Sequence, residues 1–133
     1  MFFRRLEPLI ALSVVGCAIA PAAPARVGLH YQRIVLSPEA VEQPLLQGPP
    51  QTAGLRSGRV VLKPGEHMHR HSTGAHEELL VFLQGRAQVL VGSETLEVAA
   101  GQVLYIPPQT DHELHNEGPD ELRYIYTVAP VSP

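Results

Sequence analysis

The chain has 133 residues, of which 17% are charged, and its formal net charge is −3 at pH 7. A chain of this length fits one domain with its own core. The small acidic net charge excludes the extended basic surface that nucleic-acid binding needs, so we expect no nucleic-acid partner. Thirteen prolines and eleven glycines, together with short β-type runs and few helical periods, predict an all-β domain rich in turns.

The N-terminus predicts a secretory signal. Arg4 and Arg5 give it a positively charged start, and the apolar run over residues 9–15 is too short to span a bilayer. Residues 14–17 resemble the bacterial lipobox, in which a small residue precedes a cysteine that becomes lipidated at the mature N-terminus. Because Cys17 is the single cysteine of the chain, it has no disulfide partner within the chain, and lipid attachment would account for it.

These features divide the chain into three segments. We predict a signal peptide over residues 1–16, a flexible tether over 17–27 and one folded domain over 28–133. The protein would then be exported to the bacterial periplasm or cell envelope, with the lipid on Cys17 as its only membrane contact. Two alternatives stay open: an ordinary signal that is cleaved near residues 23–25 and takes Cys17 with it, or an uncleaved anchor.

The rest of the chain predicts about eight to ten short strands, which suits a compact antiparallel sandwich or barrel of the jelly-roll type. Residues 37–54 contain four prolines and no clear period, so we expect a loop there with at most one short strand. The strand-like runs are separated by turn residues and cover residues 29–36, 55–63, 78–83, 87–91, 95–98, 103–106, 112–116 and 122–128.

Six of the seven histidines form two clusters, and imidazole and carboxylate groups at this density are typical ligands of first-row transition metals. In the first cluster, His67, His69 and His71 alternate along a run that would place them on one face of a strand. Neighbouring members of this triplet can meet at one ion, whereas the outer two lie roughly 13 Å apart and would need a bulge. The usable pair is therefore 67/69 or 69/71.

The two clusters and the residues around them resemble the two motifs of the cupin superfamily, in the spacing of small single-domain bacterial members. The resemblance covers about residues 55–128 and implies a jelly-roll (double-stranded β-helix) barrel. It also implies one divalent metal, held by two histidines and a glutamate of the first motif and one histidine of the second. The residues that carry it are Pro64, Gly65, the His-x-His run, Glu78, Gly85, Gly101, Pro107, His112 and Asn116.

Transferred to this sequence, the resemblance implies the ligands His69, His71, Glu78 and His112, with manganese, iron, nickel or zinc as the ion. The first motif usually has three or four residues between its second histidine and its glutamate, but six separate His71 from Glu78. An insertion within residues 72–75 would explain this, and we favour that reading.

Alternatively, His71 is the first ligand, counted from Gly65, and Thr73 stands where the second is expected, with His76 substituting. His67 is a further alternate ligand. His115 lies three residues after His112 and should therefore face the opposite side of the strand, so we expect it to be exposed.

The same alternation predicts the residues that line a pocket. Residues two apart on a strand face the same side, so Leu80 and Phe82 should face inward with Glu78, and Leu114 with His112. Further candidates on the neighbouring strands are Tyr105, Tyr124 and Tyr126. A mostly apolar pocket with one metal suits a small organic ligand or substrate.

Three classes of function fit such a domain, and the third of them is a structural β-domain with an incidental metal. We expect a metal-dependent dioxygenase, isomerase or lyase. The alternative is a non-catalytic module of the cell envelope that binds or senses a metal or a small ligand. The resemblance further implies a homodimer.

Overall fold

A computed structural model describes residues 29–131, so the predicted signal peptide, Cys17 and the tether lie outside the described residues. Within this range no helix is long and apolar enough to cross a membrane. The described part of the chain contains nine β-strands: β1 (Glu42–Gln47), β2 (Arg56–Leu62), β3 (His67–His71), β4 (His76–Gln84), β5 (Arg86–Val91), β6 (Glu94–Ala99), β7 (Val103–Ile106), β8 (His112–His115) and β9 (Leu122–Pro130). The predicted all-β class is confirmed.

The first predicted strand is wrong. Residues 29–36 form no strand, and most of their side chains, including the fully exposed Tyr31, point into solvent. The first strand is instead β1, inside the proline-rich segment that we expected to be mainly a loop. It pairs with β2 through a register that shifts between Pro44 and Leu46, and this irregularity explains the missing period-two pattern.

The strands form two antiparallel sheets, which is the jelly-roll arrangement. One sheet has the order β1-β2-β9-β4-β7 and the other β3-β8-β5-β6. The apolar core contains side chains from both sheets, among them Leu80 and Phe82 of β4 and Val89 and Leu114 of β5 and β8. Burying each of these side chains stabilises the fold by about 1.5–3 kcal/mol.

Asn116 joins the two sheets at one end of the barrel. Its side chain is almost fully buried, and its amide donates to the carbonyl oxygens of Leu62 at 2.9 Å and Asp120 at 2.8 Å. Its own side-chain oxygen accepts from the Gly118 backbone N–H at 3.1 Å. Asn116 therefore holds the end of β2 and the turn after β8 together, a structural role at the end of the second motif.

Candidate metal centre

A β-bulge in β3 decides which histidine faces the inside of the barrel. Met68 lies opposite Leu114 in the β3–β8 ladder, and His71 lies opposite His112. Three steps along β3 thus correspond to two steps along β8, so β3 carries one extra residue. An extra residue reverses the alternation of side chains beyond it. His71 consequently turns to the interior side, as Met68 does before the bulge.

The inward-facing residues bring three potential ligands together. His71 from β3, Glu78 from β4 and His112 from β8 each offer one ligand atom, and these atoms all lie within 4.8 Å of one another. His112 is 0% exposed and Glu78 is 5% exposed, whereas His71 is exposed at the rim. Both sheets contribute, so the site forms only when the barrel closes.

Backbone carbonyls orient both imidazoles. The Nδ1 atom of His71 lies 2.8 Å from the carbonyl oxygen of His69, and that of His112 lies 3.0 Å from the carbonyl oxygen of Thr110. A carbonyl can only accept a hydrogen bond, so Nδ1 carries the proton in each ring. In the neutral rings Nε2 is then unprotonated and available to an ion, which is the usual way a second partner fixes a metal-binding histidine.

The two buried ligands fit a bound cation. His112 Nε2 and Glu78 Oε2 lie 3.0 Å apart, the distance of an ion pair when the imidazole is protonated, and neither atom has a further hydrogen-bond partner among the described residues. Leaving such atoms buried without a partner destabilises a fold. Two ligand atoms that bind one ion at about 2.1 Å and at a right angle would themselves be about 3 Å apart. The spacing therefore fits two ligands that share an ion, as well as it fits a protonated His112 paired with the Glu78 carboxylate.

The protonation of His112 competes with metal binding. Burial lowers the pKa of His112, but the Glu78 carboxylate and the Thr110 carbonyl outweigh burial, so the net effect raises its pKa above the ordinary value. A metal can bind only the unprotonated nitrogen and must release this proton. Acid should therefore weaken the binding of a divalent ion.

The three groups lie in a cavity of about 400 Å³. Four of the residues expected in the pocket line it, namely Leu80, Leu114, Tyr124 and Tyr126. Phe82 lies in the core and is not part of the lining, and its ring centroid is 6.0 Å from that of Tyr124.

Tyr105, which we expected in the pocket, lies elsewhere. Its side chain is 54% exposed, and its hydroxyl donates to Glu77 at 3.1 Å. The register explains this position, because Ile106 pairs with Glu78 and faces inward, so Tyr105 must face outward with Leu79. The alternation along β7 places Val103 and Tyr105 on one face, but only the pairing with β4 determines that this face is the outer one.

Tyr124 contributes a protonated hydroxyl to the cavity. Burial, followed by the nearby carboxylates of Glu78 and Glu42, raises the pKa of Tyr124 far above its ordinary value. Tyr124 is 2% exposed and lines the cavity, where its hydroxyl can meet a bound ligand. It therefore remains a donor for a ligand in the cavity across the physiological pH range.

The remaining histidines of the first cluster stay outside the three-ligand group. His69 is exposed, and its ring contacts the ring of His67 edge-on at 4.6 Å between centroids. His76 is half-buried, with its Nδ1 3.2 Å from the Thr73 carbonyl oxygen. Thr73 itself lines the cavity, and its hydroxyl donates to the His76 carbonyl at 2.8 Å. The described group thus has two imidazoles and one carboxylate, where we expected three imidazoles.

Sequence reasoning missed three charged residues at the cavity, one of which, Arg59, is buried at 3% exposure. Glu42 and Arg56 also line it, and both side chains are exposed, so they lie toward its solvent side. Glu42 belongs to β1, whose proline and bulge hide its alternation. The sequence offered one indication, in the strand β2 that was predicted correctly. Arg56 lies four residues before Val60 and therefore faces the same side of the sheet.

The cupin domain family matches residues 58–128, which include all three candidate ligands. The chain belongs to the cupin family. Its curated relatives include Polyketide synthase CurC of Streptomyces cyaneus, 32% identical over 87 residues that cover 63% of this chain and 56% of the relative. Protein SchB of Streptomyces halstedii is 31% identical over 87 residues, with 63% of each chain covered. The chain thus spans between half and two thirds of the length of these relatives.

Solved cupin structures support the fold. A Cupin 2 conserved barrel domain protein from Salinispora arenicola matches with a TM-score of 0.65 and 19% identity, covering 77% of this chain and 92% of that one. A cupin protein from Bacteroides fragilis matches with the same TM-score and identity and covers 77% and 86%. At this level of identity the likeness shows the jelly-roll fold alone.

Proposed function

We propose that this cupin is a mononuclear metal enzyme that acts on a small organic compound bearing a carbonyl or hydroxyl group. The observation that carries the proposal is the convergence of His71, Glu78 and His112 in one cavity. Two histidines and one carboxylate with open positions are typical of non-heme iron oxygenases, so iron is the first ion to test, beside manganese, nickel and zinc. Such an ion would polarise a substrate oxygen and, as iron or manganese, would also activate dioxygen.

The surrounding side chains suit a compact, partly apolar substrate. The cavity volume of about 400 Å³ falls in the range of small-molecule sites. Leu80, Leu114 and Met68 cover apolar surface and exclude water, while the Tyr124 hydroxyl can donate to a substrate oxygen. A substrate could enter and leave the cavity beside His71, because His71 is the exposed member of the ligand group.

The named relatives support this substrate class. One of them is called a polyketide synthase, and polyketides carry carbonyl and hydroxyl groups at short intervals. A keto or enol oxygen of such a compound is the kind of group that a divalent ion polarises. We propose oxygenation, isomerisation or lyase chemistry on a compound of this type.

Metal content and turnover test the proposal together. The untagged full chain should retain a divalent ion that His112→Ala and Glu78→Gln lose while they stay folded. The matched control His30→Ala, an exposed histidine outside the cluster, should keep the ion. Product formation from 1,3-diketone and diphenol probes, assayed with and without dioxygen, should follow the metal content. Unchanged metal in the two ligand variants would refute the site.

A non-catalytic role is the second candidate. Apart from Glu78, the acid that lines the cavity is Glu42, and it is exposed toward solvent, so residues 29–131 place no buried carboxylate beside the three ligands as a general base. A binding or sensing module of the cell envelope would need none. Stoichiometric retention of a metal-dependent ligand, with no product after prolonged incubation, would favour this role over the enzyme.

Export, lipid attachment and dimerisation remain proposals that rest on the sequence. We propose that Cys17 becomes the lipidated first residue of the mature protein at the cell envelope. Intact-mass analysis of the membrane fraction should then give a diacylated chain that begins at Cys17, and Cys17→Ser should release the protein. Light scattering on the purified domain would test the homodimer.

A further inference from the structure

Three histidines lie together on the outer face of the four-stranded sheet, on the side opposite the cavity. His67 is the direct partner of His115 in the β3–β8 ladder, and their rings are stacked, 15° from parallel, with centroids 5.4 Å apart. The ring of His69 meets that of His67 edge-on at 4.6 Å. None of the three belongs to the inner ligand group.

Two carboxylates border the same histidines. The Nε2 atom of His115 contacts Oε1 of Glu113, and its Nδ1 lies 3.9 Å from Oε1 of Glu117. Glu113 precedes His115 by two residues on β8 and therefore shares its outward face. The outer face thus combines three imidazoles with two carboxylates, the donor types that bind first-row divalent ions.

We propose that His67 and His115 form a second divalent-cation site on this outer face, with His69 and Glu117 as neighbouring donors. Directly paired residues of an antiparallel ladder have their Cβ atoms about 4.5–5.5 Å apart, so two imidazoles can turn toward one ion. Among the described residues only the inner group has all its ligand atoms within 4.8 Å, so the outer rings must rotate on binding. His67 and His69 are exposed and have room to do so, whereas His115, which we expected to be exposed, is half-buried beside Glu113, so His67 makes most of the movement.

The bulge in β3 keeps the two sites apart. His67 lies before the extra residue and faces outward, while His71 lies beyond it and faces the cavity. One short strand therefore supplies an inner and an outer imidazole, with the sheet between the two ions. The outer site takes an ion from solvent and involves none of the cavity residues, so it does not depend on the proposed activity.

Copper(II) is the most discriminating probe, because it has the highest affinity of the divalent first-row ions for nitrogen ligands. The metal-free, untagged full chain would be dialysed against Cu²⁺ beside an inner variant, Glu78→Gln/His112→Ala, and an outer variant, His67→Gln/His115→Gln. We expect about two equivalents in the wild type and about one in either variant. The exposed-histidine control His30→Ala should bind as much as the wild type.

Two outcomes would overturn the outer site: an outer variant that binds as much Cu²⁺ as the wild type, or an inner variant that binds none. A second measurement needs no substitution at all. Zn²⁺ added to the wild-type chain should shift the ring NMR signals of His67 and His115 and leave those of His30 unchanged. Unshifted His67 and His115 signals at saturating Zn²⁺ would equally contradict the proposal.

Discussion

His71 and His112 face each other across the β3–β8 ladder, with ring centroids 4.3 Å apart and ring planes inclined by 57°. His112 occupies a position that the second motif fixes by spacing. His71 lies opposite His112 only because β3 has one extra residue between Met68 and His71. The geometry of the candidate metal centre therefore depends on a local irregularity of an edge strand.

The pH dependence of stability should reverse when a metal is bound. Because the folded pKa of His112 is raised, the metal-free protein gains stability from this group at acidic pH and loses it as the pH rises through that pKa. With metal bound, acid removes the ion and destabilises the fold.

Thermal unfolding of wild type and His112→Gln at about pH 6 and about pH 8 would check this. Without metal, the melting temperature of the wild type should exceed that of the variant by more at the lower pH. With Zn²⁺, this difference in melting temperature should be larger at the higher pH. Identical trends in both conditions would contradict the assignment of His112.

Gly58→Ala should distort the cavity wall. A Cβ atom at Gly58 would lie 2.6 Å from Cε1 and the hydroxyl oxygen of Tyr126, so the ring has to move. We expect a loss of about 1–3 kcal/mol in the free energy of unfolding, measured by urea denaturation. The same substitution in a Tyr126→Leu background should cost much less, since the clash is then relieved. Equal costs in both backgrounds would show that the ring is not the obstacle.

Asn116→Ala should destabilise the barrel without touching the metal ligands. Removing the amide leaves the carbonyl oxygens of Leu62 and Asp120 without their buried donor, which costs about 1–3 kcal/mol in chemical denaturation. Asn116→Asp should be at least as damaging, because a carboxylate cannot donate to these carbonyls. The exposed neighbour Glu117→Ala serves as the control and should stay within about 0.5 kcal/mol of the wild type in the metal-free protein.

Tyr124→Phe should weaken the binding of a substrate or of a competing small ligand and leave the metal in place. Only the hydroxyl is removed and the ring stays packed in the core, so the melting temperature should change little. Loss of one hydrogen bond to the ligand predicts about a 2- to 12-fold weaker affinity, measured calorimetrically with the metal-loaded protein. A variant that binds the ligand as the wild type does would remove Tyr124 from the binding site.

Most of the fold could be predicted from the sequence, because strands such as β7 and β9 have strong β-type runs that end at proline or at clear turns. The spacing of the motifs also pointed to Glu78 and His112, whose ligand atoms lie 3.0 Å apart. Where prediction failed, local pairing had overridden the alternation. A bulge hides the pattern of β1, and the inward side of β7 depends on its register with Glu78, which turns Ile106 rather than Tyr105 to the core.

The identity of the histidine on the inner face could not be read from the sequence for a related reason. In the run from His67 to His71 the histidines alternate regularly, so a straight strand would place all three on one side. Only the register between β3 and β8 separates His71 from the other two. That register depends on Leu114 and His112, which are more than forty residues away along the chain.

β3 is an edge strand, with β8 as its one neighbour in the sheet, and it carries the only exposed group of the inner triad. A brief detachment of this strand would withdraw His71 while Glu78 and His112 stayed in the closed barrel. Local openings of this kind need far less free energy than complete unfolding. Ion exchange with the surroundings should accordingly be governed by the fraying of five residues, at a rate well above that of global denaturation.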